Sequence, residues 1–220
     1  MSEQPELTAT RAKSLLGHFG LHAKKSLGQH FLVDKGALKR IVSAAELTPE
    51  DTVIEVGPGL GVLTRELAQR AQKVIAIEAD REMVSALGEI VAGFPNVTIV
   101  NSDVMTTDPV SLLDSAGTTG ASISYKVVAN IPYYITSAVL RHFLEASVRP
   151  SRMVVMVQKE VGKAIVAQPG DMSLLAVSVQ FYGKPSIVGR VPARSFYPPP
   201  KVDSVVLRVD RSEEHTSELQ

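Results

Sequence analysis

Val53-Ile54-Glu55-Val56-Gly57-Pro58-Gly59-Leu60-Gly61-Val62-Leu63-Thr64 is the stretch on which the fold turns. An apolar, β-branched run enters a glycine-rich turn. Beyond it Leu63, Leu67 and Ala68 recur at helical spacing, so the segment reads as strand, tight loop and helix. Glycines let the backbone turn sharply and approach a ligand, and the unpaired amides at the helix start offer donors to it. The segment is either a nucleotide-binding unit or an ordinary strand-to-helix turn, and the rest of the chain decides which. Spacing narrows the ligand. The dinucleotide fingerprint is G-x-G-x-x-G, whereas Gly57, Gly59 and Gly61 fall as G-x-G-x-G, with the acid Glu55 two residues ahead of the first.

Downstream, residues 73–78 form a buried-type strand that ends on Glu78, about 20 residues past the glycine turn, where a doubly wound fold puts the carboxylate that accepts from ribose hydroxyls. A helix through Met83, Leu87, Ile90 and Val91 follows, then a third strand over 97–100. Asp103 and Val104 leave that strand side by side. The pair suits adenine, with the acid accepting from the exocyclic amine and the backbone beside Val104 meeting the ring; Asp103 as a plain helix cap is the alternative. Residues 126–129 are a fourth strand, 153–157 a fifth, 186–191 a sixth and 202–209 a seventh, with helices over 159–167 and 173–182. Strand-helix alternation predicts an α/β, Rossmann-like fold: a seven-stranded, mostly parallel sheet with helices on both faces and ligands at the carboxyl ends of its strands.

Upstream, residues 1–23 read as a flexible lead or a loosely docked helix around Leu15, Leu16 and Phe19. The loop over 24–34 carries Gly28-Gln29-His30-Phe31-Leu32, and Asp34 caps the helix after it, in which Leu38, Ile41, Val42 and Ala45 share a face. Such a loop often closes over a site, although Phe31 and Leu32 also suit a hydrophobic staple.

The totals exclude several classes. With 220 residues, 45% of them hydrophobic, the chain has the makings of one sizeable globular domain. It has no cysteine, and its five histidines show no metal-ligand spacing, so no metal site is expected. No apolar run approaches the roughly 20 residues of a membrane span and the polar start lacks a signal peptide, so the expectation is a cytoplasmic protein with no membrane partner. The formal net charge of zero hides basic ends around an acidic middle. If the ends meet in space they form one phosphate-facing surface; otherwise they are solvated charge.

Asn130-Ile131-Pro132-Tyr133 is the most specific motif. The lone pair of an adenine N6 amine is delocalised into the ring, so an enzyme that alkylates it must hold both amine hydrogens with acceptors. The Asn130 side-chain oxygen and a backbone carbonyl at Ile131 or Pro132 supply them. Pro132 stiffens the turn, and Tyr133 offers a face for a flipped base. Ser195 to Ser204 includes a stiff Pro198-Pro199-Pro200 run that presents Phe196 towards the pocket as a second stacking partner and Lys201 towards phosphate.

The Glu55 to Gly61 turn resembles motif I of the class I S-adenosylmethionine-dependent methyltransferases. Together with residues 28–32, Glu78, Asp103, residues 130–133 and the Phe-x-Pro-x-Pro-Lys-Val-Asp-Ser run of 196–204, it resembles the small-subunit ribosomal RNA adenine dimethyltransferase family over residues 24–209. The resemblance implies N6,N6-dimethylation of two adjacent adenines near the 3′ end of the small-subunit RNA. It implies S-adenosylmethionine as cofactor, the small ribosomal subunit and its RNA as partners, and a monomer as the working unit. It also implies cofactor contacts at Gln29, His30, Leu32, Gly57, Gly59, Gly61, Glu78, Asp103, Val104 and Asn130, and catalytic roles for Asn130, Pro132, Tyr133 and Phe196. His30 stands where many relatives have asparagine.

The nearest rival is the macrolide-resistance type of large-subunit adenine methyltransferase. A non-catalytic RNA-binding assembly factor is disfavoured because both motifs are intact, and a nicotinamide dehydrogenase because of the glycine spacing. The family continues into a small helical domain, whereas residues 211–220 are polar, lack helical periodicity and resemble a translated sequencing adapter. The expectation is a catalytic domain over 24–210 followed by an artefactual tail.

Overall fold

The computed structural model describes residues 7–24, 27–118 and 124–212. The central strands are β2 (Thr52–Val56), β3 (Lys73–Glu78), β4 (Val97–Asn101), β5 (Lys126–Asn130), β6 (Arg152–Gln158), β7 (Gly183–Val191) and β9 (Ser204–Arg211). They form one seven-stranded sheet in the order β4-β3-β2-β5-β6-β9-β7. Pairing from β4 through β6 is parallel, while β9 runs antiparallel to both β6 and β7.

Successive residues of one strand feed opposite layers, as the period-2 alternation of a pleated strand requires. Ile54, Val127 and Val155 pack with Leu113 of α5 (Pro109–Ser115), Leu140 and Phe143 of α6 (Thr136–Leu144), Ile165 of α7 (Lys159–Ile165) and Val179 of α8 (Leu174–Tyr182). Their chain neighbours Val53, Val128 and Val154 pack instead with Ile41 and Val42 of α2 (Lys35–Ala45) and Leu63 and Leu67 of α3 (Val62–Ala68). Leu87 and Val91, in and just after α4 (Arg81–Ile90), cover Ala76. Both sheet faces are covered, which is why the strands read as unbroken apolar runs.

Of the two forms expected at the chain start, a flexible lead or a docked helix, the described residues take the helix. Residues 9–18 are helical, α1 (Ala9–His18), with the Thr8 side chain accepting the Arg11 amide at its start. Ala12 and Leu16, one turn apart, pack in a cluster with Leu60 of the glycine turn and with Met83 and Ala86 of α4. The sequence also gave no sign of a second, two-stranded sheet, in which β1 (Phe31–Leu32) pairs antiparallel with β8 (Phe196–Tyr197). At the other end β9 runs on through Arg211, which pairs with Gly183, so the strand outlasts the expected boundary by one residue. The remainder of the expected tail, residues 213–220, lies outside the described residues, as do Lys25 and Ser26 of the 24–34 loop.

The chain switches direction of sheet growth between β2 and β5: β3 and β4 lie to one side, β5 and β6 to the other. Parallel register brings Val56 opposite Ile77 and Glu78 opposite Asn101, so the loops that follow these strands all open at one edge, at the switch point where such folds bind ligands.

Candidate functional site

A cavity of about 310 Å³ opens at that edge. It is lined by Gln29, His30 and Leu32 from the first loop and β1, Gly57 and Gly59 after β2, and Glu78 at the end of β3. Asp103 and Val104 after β4, and Asn130, Pro132 and Tyr133 from β5 and the turn beyond it, complete the set. Eleven of the thirteen expected residues are thus brought together; Gly61 and Phe196 are not among the lining residues.

Each exception has a physical reason. Gly61 caps α3 in the left-handed region (φ +66°), and a Cβ there would meet Leu87 Cδ1 at 2.8 Å, so this glycine lets α3 and α4 approach each other. Phe196 pairs with Leu32 across the small sheet, is 2% exposed, and belongs to the cluster holding Ile41 and Val206. It packs in the core here, away from the cavity, which does not support the stacking role expected of it. Gln29 lines the cavity, but its side chain works within the loop: Oε1 accepts the Lys24 amide at 2.9 Å and Nε2 donates to Asp80 at 3.4 Å.

Gly59 is where the turn and the first loop touch. Its φ is +54°, and a Cβ would lie 3.0 Å from the Phe31 ring, so only glycine lets β1 sit down on the turn. Two residues to which the sequence reading assigned no role steady the walls. Asp80 caps α4, accepting the Glu82 amide, and holds Lys24 at 2.8 Å, raising the lysine to about 12. Ser204 Oγ lies 2.6 Å from the Tyr133 hydroxyl. The signal for Asp80 was present, an aspartate just before a helix, but its distant partners were not.

Asn130 Nδ2 donates to the His30 carbonyl at 2.9 Å. The amide orientation follows from that acceptor, and it turns Oδ1 away from the tie, free to accept. The His30 ring stacks on Tyr133 (centroids 5.9 Å apart, planes at 26°), and its Nδ1 lies 2.7 Å from the Pro198 carbonyl. A carbonyl can only accept, so Nδ1 carries the hydrogen. Val33 N–H to Ser195 O (2.8 Å) and Ser195 Oγ–H to Asp34 (2.7 Å) add to this seam between residues some 160 apart in sequence. Asp103 gives one oxygen to the Met105 amide at 2.9 Å as a helix cap and lines the cavity as well, so the cap does not take it out of the site.

The carboxylates differ in environment. Burial lifts Glu78 above the ordinary carboxylate range, although Oε1 accepts the Asp80 amide at 3.0 Å. Glu55 is 1% exposed and pushed up to about 8, chiefly by burial, with the Glu78 charge adding to it. Glu55 lines the same cavity, and its buried Oε2 has no hydrogen-bond partner in the structure, nor has Thr64 Oγ1. A buried carboxyl oxygen left unpaired beside a cavity fits a site completed by a donor from a ligand. Among the described residues no cluster of histidines and acids could hold a metal, and no helix is long and apolar enough to cross a membrane.

Comparison with known proteins agrees with this geometry. A family model described as ribosomal RNA adenine dimethylase matches residues 20–220. A ribosomal RNA small subunit methyltransferase A of Dehalococcoides mccartyi is 53% identical over 209 residues, 95% of this chain and 69% of its own length. Its namesake in Moorella thermoacetica is 48% identical over 206 residues, 92% of this chain and 72% of its own. Among solved structures, the 23S rRNA methyltransferase ErmE is 36% identical with a TM-score of 0.73, over 83% of this chain and 70% of that one. A dimethyladenosine transferase from Plasmodium falciparum is 31% identical with a TM-score of 0.72, over 84% of this chain and 64% of that one.

Proposed function

The chain belongs to the ribosomal RNA adenine dimethylase family, and on that premise we propose that it transfers methyl groups from S-adenosylmethionine to the N6 atoms of two adjacent adenines near the 3′ end of small-subunit ribosomal RNA. The observation that carries the reading is the Asn130 amide. Its Nδ2 is committed to the His30 carbonyl, so Oδ1 is presented at the cavity as an acceptor.

When bound, the cofactor supplies an electrophilic methyl group on a sulfonium centre. The cavity's own residues suit an adenosyl group. Glu78 would accept from ribose hydroxyls, the uncommitted Asp103 oxygen from the adenine amine, and Val104 would pack on the ring. The unpaired Glu55 oxygen would take a donor at the inner end.

At the reacting end, Asn130 Oδ1 would accept one N6 hydrogen of the target. The Pro132 carbonyl already accepts the Ile135 amide at 3.2 Å, which favours the Ile131 carbonyl for the other. Held by two acceptors, the amine nitrogen can pyramidalise and aim its lone pair. Tyr133, fixed by Ser204 and the His30 ring, supplies the aromatic wall. The alkylated nitrogen becomes acidic on transfer and loses its proton to water, so no side chain with a shifted pKa is required.

Identity to the relatives named for the small subunit exceeds that to the 23S enzyme, which favours the small-subunit RNA. By the same reading the protein acts in the cytoplasm, as a monomer, on the small ribosomal subunit. The test is transfer of labelled methyl groups to undermethylated small and large subunits, with products mapped by reverse-transcriptase stops. Stops at two neighbouring adenines near the 3′ end of the small-subunit RNA are expected; stops confined to large-subunit RNA overturn the assignment.

A further inference from the structure

Among the described residues, of the large apolar side chains left exposed only Tyr134 and Met105 line the cavity; Leu174, Val177, Phe181, Ile187, Val188 and Val202 lie away from it. The two stand at different ends. Met105 follows Asp103 and Val104, the adenosyl end, whereas Tyr134 follows Asn130, Pro132 and Tyr133, where the target amine would react. Tyr134 is 65% exposed, and the structure gives it no hydrogen bond or ring contact. Its neighbour differs on every count, with a hydroxyl tied to Ser204, a ring stacked on His30 and a side chain partly buried.

Tyr134 is nonetheless held in place. It sits in the 3-10 turn Tyr133–Ile135 directly after Pro132, so its backbone continues that of the target-facing residues. The ring edge rests over Gly28 of the first loop, where a Cβ would already be 3.4 Å from Tyr134 Cδ1 and 3.5 Å from Cε1. One edge is seated and the rest is open to solvent at the mouth of the site. A rigid, exposed aromatic ring beside a base-binding cavity is the arrangement that stacks nucleic-acid bases without regard to their identity.

We propose that Tyr134 stacks the RNA base adjoining the adenine held in the cavity, so that the two aromatic residues of the turn take two successive nucleotides, Tyr133 the reacting one and Tyr134 its neighbour. The proposal rests on the adenine-methylating reading of the same site. Strand polarity fixes the side on which that neighbour lies, so where the targets are two adjacent adenines Tyr134 takes the other adenine for one of them and the next nucleotide of the strand for the other.

The test uses the full chain with undermethylated small subunits, and in parallel a short RNA hairpin carrying 2-aminopurine beside the target. Tyr134→Ala is expected to raise KM for RNA about 5- to 150-fold and to abolish the quenching of 2-aminopurine seen with the wild type. Cofactor affinity and kcat at saturating RNA should stay close to wild type, and Tyr134→Phe, which keeps the ring, should behave as wild type throughout. An unchanged KM with unchanged quenching overturns the proposal, and so does a loss confined to cofactor affinity, which would make Tyr134 part of the cofactor wall. Wild-type protein that methylates no adenine on either substrate would sink the reading of the site itself. The quenching difference between wild type and Tyr134→Ala, which needs binding but no turnover, still decides the stacking proposal in that event.

Discussion

Asn130 and His30 are 100 residues apart in sequence, yet the Asn130 side-chain amide donates to the His30 main-chain carbonyl at 2.9 Å, so the first loop of the site sets which way the asparagine faces. Replacing the amide should therefore damage two functions at once. Asn130→Ala removes the acceptor for the target amine, and a loss of about 10²- to 10³-fold in the single-turnover rate is expected. Asn130→Asp keeps the size and an acceptor but turns a carboxylate oxygen towards the His30 carbonyl, where two acceptors repel. A comparable loss is expected, and an aspartate variant of near wild-type rate in a single-turnover assay would show that the tie to His30 is dispensable.

Phe196 tests whether the aromatic residue after Ser195 works in the core or on substrate. It is 2% exposed and packs with Leu32, Ile41 and Val206. Phe196→Ala should cost about 3–5 kcal/mol in denaturant unfolding through the cavity it leaves. Phe196→Leu, a smaller change of shape, should cost on the order of 1 kcal/mol and leave KM for RNA near wild type. A several-fold rise in that KM for the leucine variant, with the fold intact, would restore Phe196 to the substrate.

These cases mark what the sequence can and cannot disclose. The sheet was legible because Val53/Ile54, Val127/Val128 and Val154/Val155 each supply a side chain to either face, and covered strands must then be apolar throughout. The carboxyl-end residues Glu78, Asp103 and Asn130 were legible because each ends or closely follows a recognisable strand. Less so were features fixed by long-range pairing. Strands as short as β1 and β8 leave no periodic signal, and their pairing alone sets the face on which Phe196 lies. The helix α1 buries little more than Ala12 and Leu16, which is why a polar segment left a docked helix and a flexible lead both open. Gln29 reads as a ligand contact until Asp80 and Lys24, brought from another loop and from its own, take up its amide.

The glycine turn separates packing from binding. In Gly61→Ala the new Cβ sits 2.8 Å from Leu87 in a left-handed backbone, so a stability loss of about 1–3 kcal/mol is expected. Gly61 does not line the cavity, and cofactor affinity should stay within about threefold of wild type, a shift of under 1 kcal/mol. Gly59→Ala instead presses on the Phe31 ring at 3.0 Å and displaces β1 from the cavity wall. Here calorimetric titration should show cofactor affinity falling by about tenfold or more, the cost of disturbing a preorganised wall. Equal affinity losses in the two variants would contradict the division.

Glu55 makes the last prediction, and its sign follows from linkage. Burial raises its pKa from 4.5 to about 8 in the folded protein, while the unfolded chain keeps the ordinary value. Between those limits the native state holds a proton that the unfolded state has released, so stability falls as pH rises from about 4.5 towards 8 and levels off above. The contribution is fully present below the unfolded pKa and lost by the time the folded carboxyl ionises. Groups held low, such as Asp34 under its Ser195 hydrogen bond and Asp203 beside Arg190, lose their contributions as pH falls below about 4, outside this window. Glu55→Gln keeps the shape without the charge, and its stability should exceed that of wild type by a few kcal/mol at pH 8 while nearly matching it at pH 4.5. Urea unfolding of both proteins across that range measures the difference directly. A gap that stays constant with pH would mean that Glu55 titrates as an ordinary surface acid, and that its buried, unpaired oxygen does not exist in solution.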